Sequence, residues 1–390
     1  MKAGWQTKTL GEVCVVDKIQ GLNKNLPYVG LENIESHTGR FIGSTDPLEV
    51  KSTTFKFTPD HLLYGRLRPY LNKVMLPDFV GHCSTEVFPI KPRPGLSREF
   101  LQYWFLRDAT VEQIDATSTG ARMPRANMTA VLDFEFPLPP LPEQQRIVGI
   151  LYEAFDGIAT AKANFETNLK NTRALFESHL QSVFTEHGEG WMEKPLGEMC
   201  ERITKGSSPK WQGIDYVDKP GILFVTSENV GEYQLLMEHP KYVEEKFNAK
   251  EKKSILKPGD VLTNIVGASI GRTAVFSLDD VANINQAVCL IRCEPTLLNN
   301  FFLTYLLNSR VFKQVLHDNE VDNARANLSL GFFSQLPVPM PPIPKQIAIV
   351  AKLDIFRKET QCLESLYRRK LAALDDLKKS LLHQAFSGEL

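Results

Sequence analysis

The sequence predicts an α+β fold in which two mixed α/β domains are separated by two long antiparallel helices that form a coiled coil, with internal pseudo-two-fold symmetry. Three observations predict it. The chain repeats itself, each copy opens with short strand-like apolar runs, and each copy closes with a long helical pattern. The 390 residues suffice for two domains and their connections. A content of 43% apolar and 23% charged residues is typical of a globular protein and excludes disorder on the scale of a domain.

The repeat consists of four motifs that occur twice in the same order. Trp5-x-x-Lys8-x-Leu10-Gly11-Glu12 returns from Trp191, Phe100-Leu101-x-Tyr103 from Phe302, Arg125-Ala126-Asn127 from Arg325, and Pro139-Pro140-x-Pro142-x-Gln144 from Pro341. The separation between matching motifs grows early in the second copy, which indicates small insertions in surface loops there. The shared order indicates a duplicated scaffold.

The first part of each copy contains short apolar runs broken by Gly, Pro and Asn. The runs 222–225 and 261–266 predict strands bounded by turns. The segments 100–107 and 301–307 predict short buried helices. The globular part of each copy is therefore expected to mix strands with short helices.

A proline-rich hinge, 137–142 or 337–344, ends this part of each copy and should stop the preceding strand. Helices are predicted directly after it, over 143–184 and 345–386, each about 63 Å long. Their apolar positions alternate four and three residues apart, as in a coiled-coil seam. The seam positions are Ile147, Leu151, Ala154, Ile158, Ala161 and Phe165, then Ile349, Leu353, Phe356, Thr360, Leu363 and Tyr367, continuing through Lys370, Leu374, Leu377 and Leu381.

Helices of this length need a partner helix, because one small domain cannot cover them, and the other copy supplies one. Antiparallel pairing is favoured, since it relates the two copies by a pseudo-two-fold axis. Parallel pairing within the chain, and homodimerisation through the same helices, remain open. The expected segments are a first domain at 1–136, a hinge and helix at 137–189, a second domain at 190–338, and a hinge and helix at 339–390.

The sequence lacks the motifs of common enzymes. It contains no Walker A motif, no dinucleotide-binding Gly-x-Gly-x-x-Gly, no His-Glu-x-x-His and no Gly-x-Ser-x-Gly. The Asn-Pro-Pro-aromatic tetrad that an adenine-N6 methyltransferase needs is absent too. Six scattered cysteines show no zinc-ligand spacing and are interpreted as reduced thiols. We therefore expect a non-catalytic protein with no cofactor and no metal.

Net charge and hydropathy exclude further classes of protein. The net charge of −1 excludes a polybasic protein, but it leaves nucleic-acid binding open because the placement of charges decides that. The first residues lack the apolar core of a signal peptide, and no run approaches the roughly 18 apolar residues of a membrane span. We expect a cytoplasmic protein that contacts no membrane.

Polar side chains at equivalent positions of the two copies differ in chemistry, as expected of two readers of different sequences on one scaffold. These side chains can bind base edges and phosphates. The candidate DNA-binding residues are Arg66, Arg68, Lys73, Arg122 and Arg125 in the first copy, and Asn264, Ser269, Arg272, Asn285, Gln286 and Arg325 in the second. For each residue alone, a solvated surface position is the alternative. Tyr64 and Tyr70 are expected to pack rather than to stack on bases.

Over nearly its whole length the chain resembles the DNA-specificity (S) subunit of a type I restriction–modification system. The resemblance rests on the two opening motifs at Trp5 and Trp191, on 138–148 with its echo at 340–346, and on the ending 380–390. Two departures are Lys345, where the family usually has Glu, and a first long helix without the family's Phe-Ser-Gly-Glu ending.

The resemblance implies two target recognition domains, each reading one half of a bipartite, asymmetric DNA site. It implies that the helix pair sets the spacer and docks two modification subunits, which are adenine-N6 methyltransferases that use S-adenosylmethionine. Restriction subunits, which translocate and cleave DNA, would join them, and this chain would have no catalysis of its own. A protein-only coiled-coil adaptor without direct DNA readout is the alternative function, and an enzyme with an unrecognised site is a third.

Overall fold

The computed structural model describes residues 4–21, 25–218, 221–321 and 326–390. The chain divides into two compact units. The first comprises residues 1–167 with 368–390, and the second comprises residues 168–367. Each unit therefore combines the globular part of one sequence copy with segments of both long helices.

Within the described residues, the first copy forms three small sheets and five helices. Its strands are β1 (Gln6–Thr9), β2 (Cys14–Val16), β3 (Gln20–Gly21), β4 (Tyr28–Val29), β5 (Thr54–Phe57), β6 (Leu62–Gly65), β7 (Val74–Met75), β8 (Gly81–Ser84), β9 (Val87–Pro92) and β10 (Glu135–Leu138). Its helices are α1 (Leu10–Val13), α2 (Arg98–Phe105), α3 (Asp108–Ala116), α4 (Met128–Leu132) and α5 (Leu141–Thr185), with 3₁₀ turns at Leu31–Asn33 and Pro69–Leu71. The strand orders are β2-β9-β6-β7, β3-β5-β8-β4 and β1-β10.

The second copy repeats this plan. Its strands are β11 (Met192–Pro195), β12 (Cys200–Lys205), β13 (Tyr216–Val217), β14 (Ile222–Val225), β15 (Tyr242–Val243), β16 (Val261–Asn264), β17 (Thr273–Val275), β18 (Ala282–Ile284), β19 (Val288–Cys293) and β20 (Pro337–Met340). Its helices are α6 (Lys246–Lys250), α7 (Asn300–Asn308), α8 (Arg310–Asp318), α9 (Leu330–Gln335) and α10 (Ile343–Ser387), with 3₁₀ turns at Leu196–Met199, Pro209–Gln212, Lys252–Ser254 and Gly267–Ser269. The strand orders are β12-β19-β16-β17, β13-β15-β14-β18 and β11-β20.

Among the described residues, two of the three sheets have the same strand order in both copies and one differs. The antiparallel order β2-β9-β6-β7 corresponds strand for strand to β12-β19-β16-β17. The parallel pair β4-β8 likewise corresponds to β14-β18. However, β8 takes β5 as a second neighbour, whereas β18 is an edge strand whose sheet grows through β14 to β15 and β13. The copies thus share a scaffold and diverge early in the second copy, where insertions were expected.

The hinge before each long helix begins inside a strand, and that strand ends directly before Pro139-Pro140 or Pro341-Pro342, where the prediction that proline stops the strand is confirmed. Pro137 lies within β10 opposite Thr7 of β1, and the corresponding prolines lie within β20. Two-stranded ribbons tolerate proline because each strand has an unpaired edge. The long helices start two residues earlier than predicted and span 45 residues each. Pro142 and Pro344 occupy the first turn, where a missing N–H costs nothing.

Each short helix after β9 or β19 packs its buried aromatic face against the end of a long helix. In the first unit, Ser97 caps α2 through the N–H of Phe100, and the ring of Phe100 lies 4.7 Å from that of Phe386. In the second unit, the ring of Phe302 on α7 lies 5.4 Å from that of Phe184. Because Phe386 belongs to α10 and Phe184 to α5, each copy's core is completed by the helix of the other copy.

Within the first unit, α5 and α10 pack antiparallel. Lys162 Nζ lies 3.2 Å from Asp375 Oδ1, and Lys378 Nζ lies 5.2 Å from the ring centre of Phe155. Residue numbers therefore fall along one helix as they rise along the other.

Within the second unit, α5 and α10 run in the same opposite sense. Arg173 Nε lies 3.2 Å from Glu364 Oε2, and the rings of Phe176 and Phe356 are 6.0 Å apart. The structure confirms two α/β domains joined by long, packed helices with an internal repeat, and the parallel alternative is wrong.

The predicted seam holds at the start of α10 and fails further along. Leu353 and Thr360 are buried as expected, but Leu363 and Leu377 are 40% and 47% exposed. A straight helix has 3.6 residues per turn, so its buried face drifts away from a strict seven-residue repeat. The buried face of α10 has accordingly moved to neighbouring positions such as Leu382.

Candidate nucleic-acid interface

Three segments of the first copy are joined through the backbone where β6 ends. The N–H of Arg66 donates to the carbonyl of Glu86 at 2.9 Å, and the N–H of Ala126 donates to the carbonyl of Arg66 at 2.9 Å. The loop between β8 and β9 and the segment before α4 thereby lie beside the end of β6. This arrangement brings the side chains of Arg66, Glu86 and Arg125 together.

These side chains form an ionic cluster above an aromatic ring. Arg66 Nε lies 3.0 Å from Glu86 Oε2, and Arg125 binds Glu86 Oε1 through Nε at 2.9 Å and Nη2 at 2.8 Å. The buried ring of Phe88 has the guanidinium of Arg66 at 4.9 Å and the ammonium of Lys18 at 4.5 Å. Burial raises the pKa of Glu86, but the two guanidinium groups outweigh it and leave that pKa below its ordinary value.

The other candidates of the first copy differ in availability. Arg68 and Arg122 are exposed, and Arg68 has a left-handed backbone with φ of 52°. Lys73, by contrast, donates its ammonium to the carbonyls of Leu31 and Ile34 at 2.8 and 2.7 Å. Two of its three N–H donors therefore support a loop rather than face solvent.

The two tyrosines near β6 behave differently from each other. Tyr64 is fully buried and stacks on Phe105 with 4.9 Å between ring centres, which confirms that it packs. Tyr70 is 47% exposed, so the fold covers about half of it and its expected packing stays a prediction. It lies in a 3₁₀ turn two residues after Arg68.

The second copy repeats the backbone network with different side chains. The N–H of Ile265 donates to the carbonyl of Ala287 at 2.9 Å, and the N–H of Leu328 donates to the carbonyl of Ile265 at 2.9 Å. Ile265 therefore occupies the place of Arg66, and Ala287 that of Glu86. An apolar pair replaces a charged one on the same scaffold.

Two candidates of the second copy use their polar atoms inside the fold. Asn264 is fully buried and donates its Nδ2 to the carbonyl of Ser227 at 2.9 Å, while its Oδ1 is buried without a partner. Asn285 is half-buried and accepts the N–H of Ala287 at 3.0 Å.

The other candidates of the second copy lie around the same loops. Ser269 is half-buried in a 3₁₀ turn, Arg272 is exposed and Gln286 is half-buried. Arg325 lies outside the described residues.

The match of Arg125-Ala-Asn with Arg325-Ala-Asn was wrong by two positions. Arg125 forms the β-bridges that Asn327 forms in the second copy. The following helices agree, because Asn127 caps α4 where Ser329 caps α9. The structural counterpart of Arg125 is therefore Asn327, and the repeated sequence Arg-Ala-Asn does not mark equivalent positions.

Further exposed groups were not among the candidates predicted from the sequence. Lys18 follows β2, and Lys205, which ends β12, is its counterpart. In the second copy the chain continues into a 3₁₀ turn in which Trp211 is 77% exposed, next to exposed Lys210. The sequence signal for this group was a tryptophan and lysines within the Gly- and Ser-rich segment 205–213.

The described part of the chain was compared with the requirements of a metal site and of a membrane-spanning helix. There, no group of three or more His, Cys, Asp or Glu side chains could hold a metal ion. None of the described helices is both long and apolar enough to cross a membrane. All six cysteines carry free thiols.

The family comparison agrees with this architecture. A family model described as the type I restriction modification DNA specificity domain matches residues 2–169 and 188–368. The chain therefore belongs to the type I restriction–modification DNA specificity family. This membership confirms the predicted resemblance and the prediction that the chain is a specificity component rather than a catalytic one.

Individual relatives are more distant. The chain is 29% identical over 162 residues to the type I restriction enzyme EcoDI specificity subunit of Escherichia coli, covering 41% of this chain and 36% of that protein. It is 26% identical over 300 residues to the EcoBI specificity subunit of Escherichia coli, covering 71% of this chain and 63% of that protein. The chain thus matches about a third and just under two thirds of these two relatives.

Solved structures match over the whole chain. One of them comes from work on the structural basis underlying complex assembly and conformational transition of the type I R-M system. The TM-score is 0.84 at 24% identity, with 100% of this chain and 99% of that chain covered. At this identity the match shows a shared fold.

Proposed function

We propose that this chain is the DNA-recognition subunit of a type I restriction–modification complex, and that its two domains, 1–136 and 190–338, each read one half of a bipartite, asymmetric site in double-stranded DNA. One observation carries the proposal. The same backbone network at the ends of β6 and β16 presents Arg66, Glu86 and Arg125 in one copy, but Ile265, Ala287 and Asn327 in the other. One scaffold with two chemistries is what two different half-sites require.

Within each domain, exposed cations would contact DNA, and polar side chains that bind carbonyls inside the fold would shape the loops. Exposed Arg68, Arg122 and Arg272 suit phosphates or base edges, since their positions leave them open to a ligand. Lys73 and Asn264 would shape the loops, because their polar atoms bind carbonyls inside the fold. The remaining candidates, Arg66, Arg125, Ser269, Asn285, Gln286 and Arg325, stay proposed contacts.

The helix pair would set the spacer between the half-sites and dock two modification subunits, with restriction subunits joining that assembly. Exposed large apolar side chains on both long helices support a protein-binding role. They include Tyr152, Leu175, Ile347 and Ile355, which are 53–69% exposed. A protein-only adaptor would use the same helices, so DNA readout separates the two functions.

The deciding experiment is methylation mapping. The chain is combined with its modification subunits, S-adenosylmethionine and unmethylated genomic DNA. We expect N6-methyladenine at a single bipartite motif, and no such motif when the chain is omitted. Methylation without sequence preference, or the same motif without the chain, would favour the adaptor.

A further inference from the structure

Arg66 has one edge of its guanidinium engaged and the other open. Its Nε donates to Glu86, and its Cζ lies above Phe88. Within the described residues, neither Nη atom has a hydrogen-bond partner, and the side chain is 32% exposed. Two parallel N–H groups on one edge match O6 and N7 of guanine in the major groove of DNA.

Arg125 is in the opposite state, because all three of its guanidinium nitrogens are engaged. Nε and Nη2 bind Glu86, and Nη1 donates to the carbonyl of Met123 at 3.3 Å. Glu86 thus binds both the guanidinium of Arg125, whose three nitrogens are all engaged, and that of Arg66, of which only Nε is engaged. Fixing a long side chain before it binds reduces the entropy lost on binding, so this bridge prepares Arg66 for a partner.

The charges of the cluster fit DNA. Arg66 and Arg125 bind the carboxylate of Glu86, and Lys18 lies over the Phe88 ring that Arg66 also covers, so three cations accompany one anion and leave a positive surface for a phosphate-lined groove. The second copy builds the same backbone network without this ionic cluster, so the fold does not require it. A partly exposed charge cluster that the scaffold can omit is expected to serve recognition.

We propose that Arg66 reads a guanine of the first half-site through its Nη1 and Nη2 atoms, and that Glu86 and Arg125 are positioning residues that hold its guanidinium for this contact. The proposal rests on the proposed function above and adds one base and three residue roles to it.

The test uses the chain assembled with its modification subunits and DNA duplexes that carry the mapped motif. Each base pair of both half-sites is replaced in turn, and initial methylation rates are compared. Wild type should discriminate at one G·C pair of the first half-site by roughly 5- to 150-fold. Glu86→Gln and Arg66→Lys should each lose most of that factor while every other position keeps its discrimination. The double variant should lose no more than Arg66→Lys, because both act through one contact.

Glu112→Gln is the matched control, since it removes an exposed carboxylate from α3 in the same unit and should retain full discrimination. If Glu86→Gln fails to assemble, Arg66→Lys decides alone, because it keeps the charge. Equal losses at all positions, or unchanged discrimination in Arg66→Lys, would overturn the inference and leave the proposed function intact. Absence of any bipartite motif with wild type would overturn both.

Discussion

At the scale of single residues, the second unit contains a buried carboxylate that is stabilised by two parallel hydrogen bonds from one arginine. The carboxylate of Asp260 is fully buried and binds Arg292 Nε and Nη2, each at 2.7 Å. The N–H of Lys257 adds a third hydrogen bond at 2.7 Å. In the first copy the strand registers put His61 at the place of Asp260, and Lys91, the counterpart of Arg292, lies 3.5 Å from the exposed carboxylate of Asp60 instead.

This contrast predicts different costs for equivalent substitutions. Arg292→Met should lower the free energy of unfolding by about 3–5 kcal/mol, because it leaves a buried carboxylate unpaired. Lys91→Met, the matched control, should cost at most about 1 kcal/mol, as exposed pairs do. Urea unfolding, with hydrogen exchange to locate the loss in β16 and β19, measures both. Equal losses would contradict the structure.

Which polar residues face outward was the part of the site that sequence could not predict. The group of cations Arg66, Arg68 and Lys73 is recognisable from the sequence, because cation spacing is a local feature. The carbonyls that occupy Lys73 come from Leu31 and Ile34, however, and the carbonyl that occupies Asn264 comes from Ser227. Such partners lie far along the chain, so only the folded structure shows which donors are used.

At the scale of elements, a buried glutamine at the start of each long helix joins the helix to its domain. Gln144 Oε1 accepts the N–H of Ser97, and its Nε2 donates to the carbonyls of Gly95 and Pro139, each at 2.8 Å. Gln346 makes the equivalent three bonds in the second unit. The repeated Pro-Pro-x-Pro-x-Gln motif is therefore a structural joint.

The joint predicts a large effect of a small change. Gln144→Ala should destabilise the first unit by roughly 2–5 kcal/mol, because it leaves one N–H and two carbonyls unsatisfied. Gln145→Ala is the control, since that neighbour is exposed and should cost less than about 0.5 kcal/mol. Thermal unfolding of both variants measures the difference. Similar melting temperatures for the two would rule out the joint.

Elements with a strong local period were predicted well. The long helices follow from apolar spacing alone, and the strand Ile222–Val225 was predicted with its observed bounds. The different order of the second sheet could not be predicted, because whether the additional strand joins β8, as β5 does, or β14, as β15 does, depends on contacts between distant segments. The buried face of α10 departs from the predicted seam because a straight helix has 3.6 residues per turn, whereas the seam assumes 3.5.

At the scale of the whole molecule, each long helix ends in the core of the other sequence copy. Phe386 completes the core around Phe100, and Phe184 completes the core around Phe302. Neither sequence copy therefore has a full core by itself. The proposed function requires that the globular parts can vary independently, which demands that a foreign domain keep an aromatic partner for the helix end.

A domain exchange tests this independence at the level of DNA recognition. Replacing residues 1–138 by the equivalent segment of another family member should change one half of the methylated motif and leave the other half unaltered. The junction follows Leu138 because β1 and β10 pair from Gln6↔Leu138 to Thr9↔Glu135, so one parent then supplies both strands. Methylation mapping of the assembled complex gives the result.

The matched control moves the junction to residue 134, which pairs a foreign β1 with the native β10. This chimera should keep the same altered half-site but melt at a lower temperature, because the ladder is mismatched at the entry to α5. If the junction at 138 altered both halves of the motif, the two domains would not be independent readers. The helix pair would then have to transmit changes in one domain to the other, which is the one role that the proposed function does not give it.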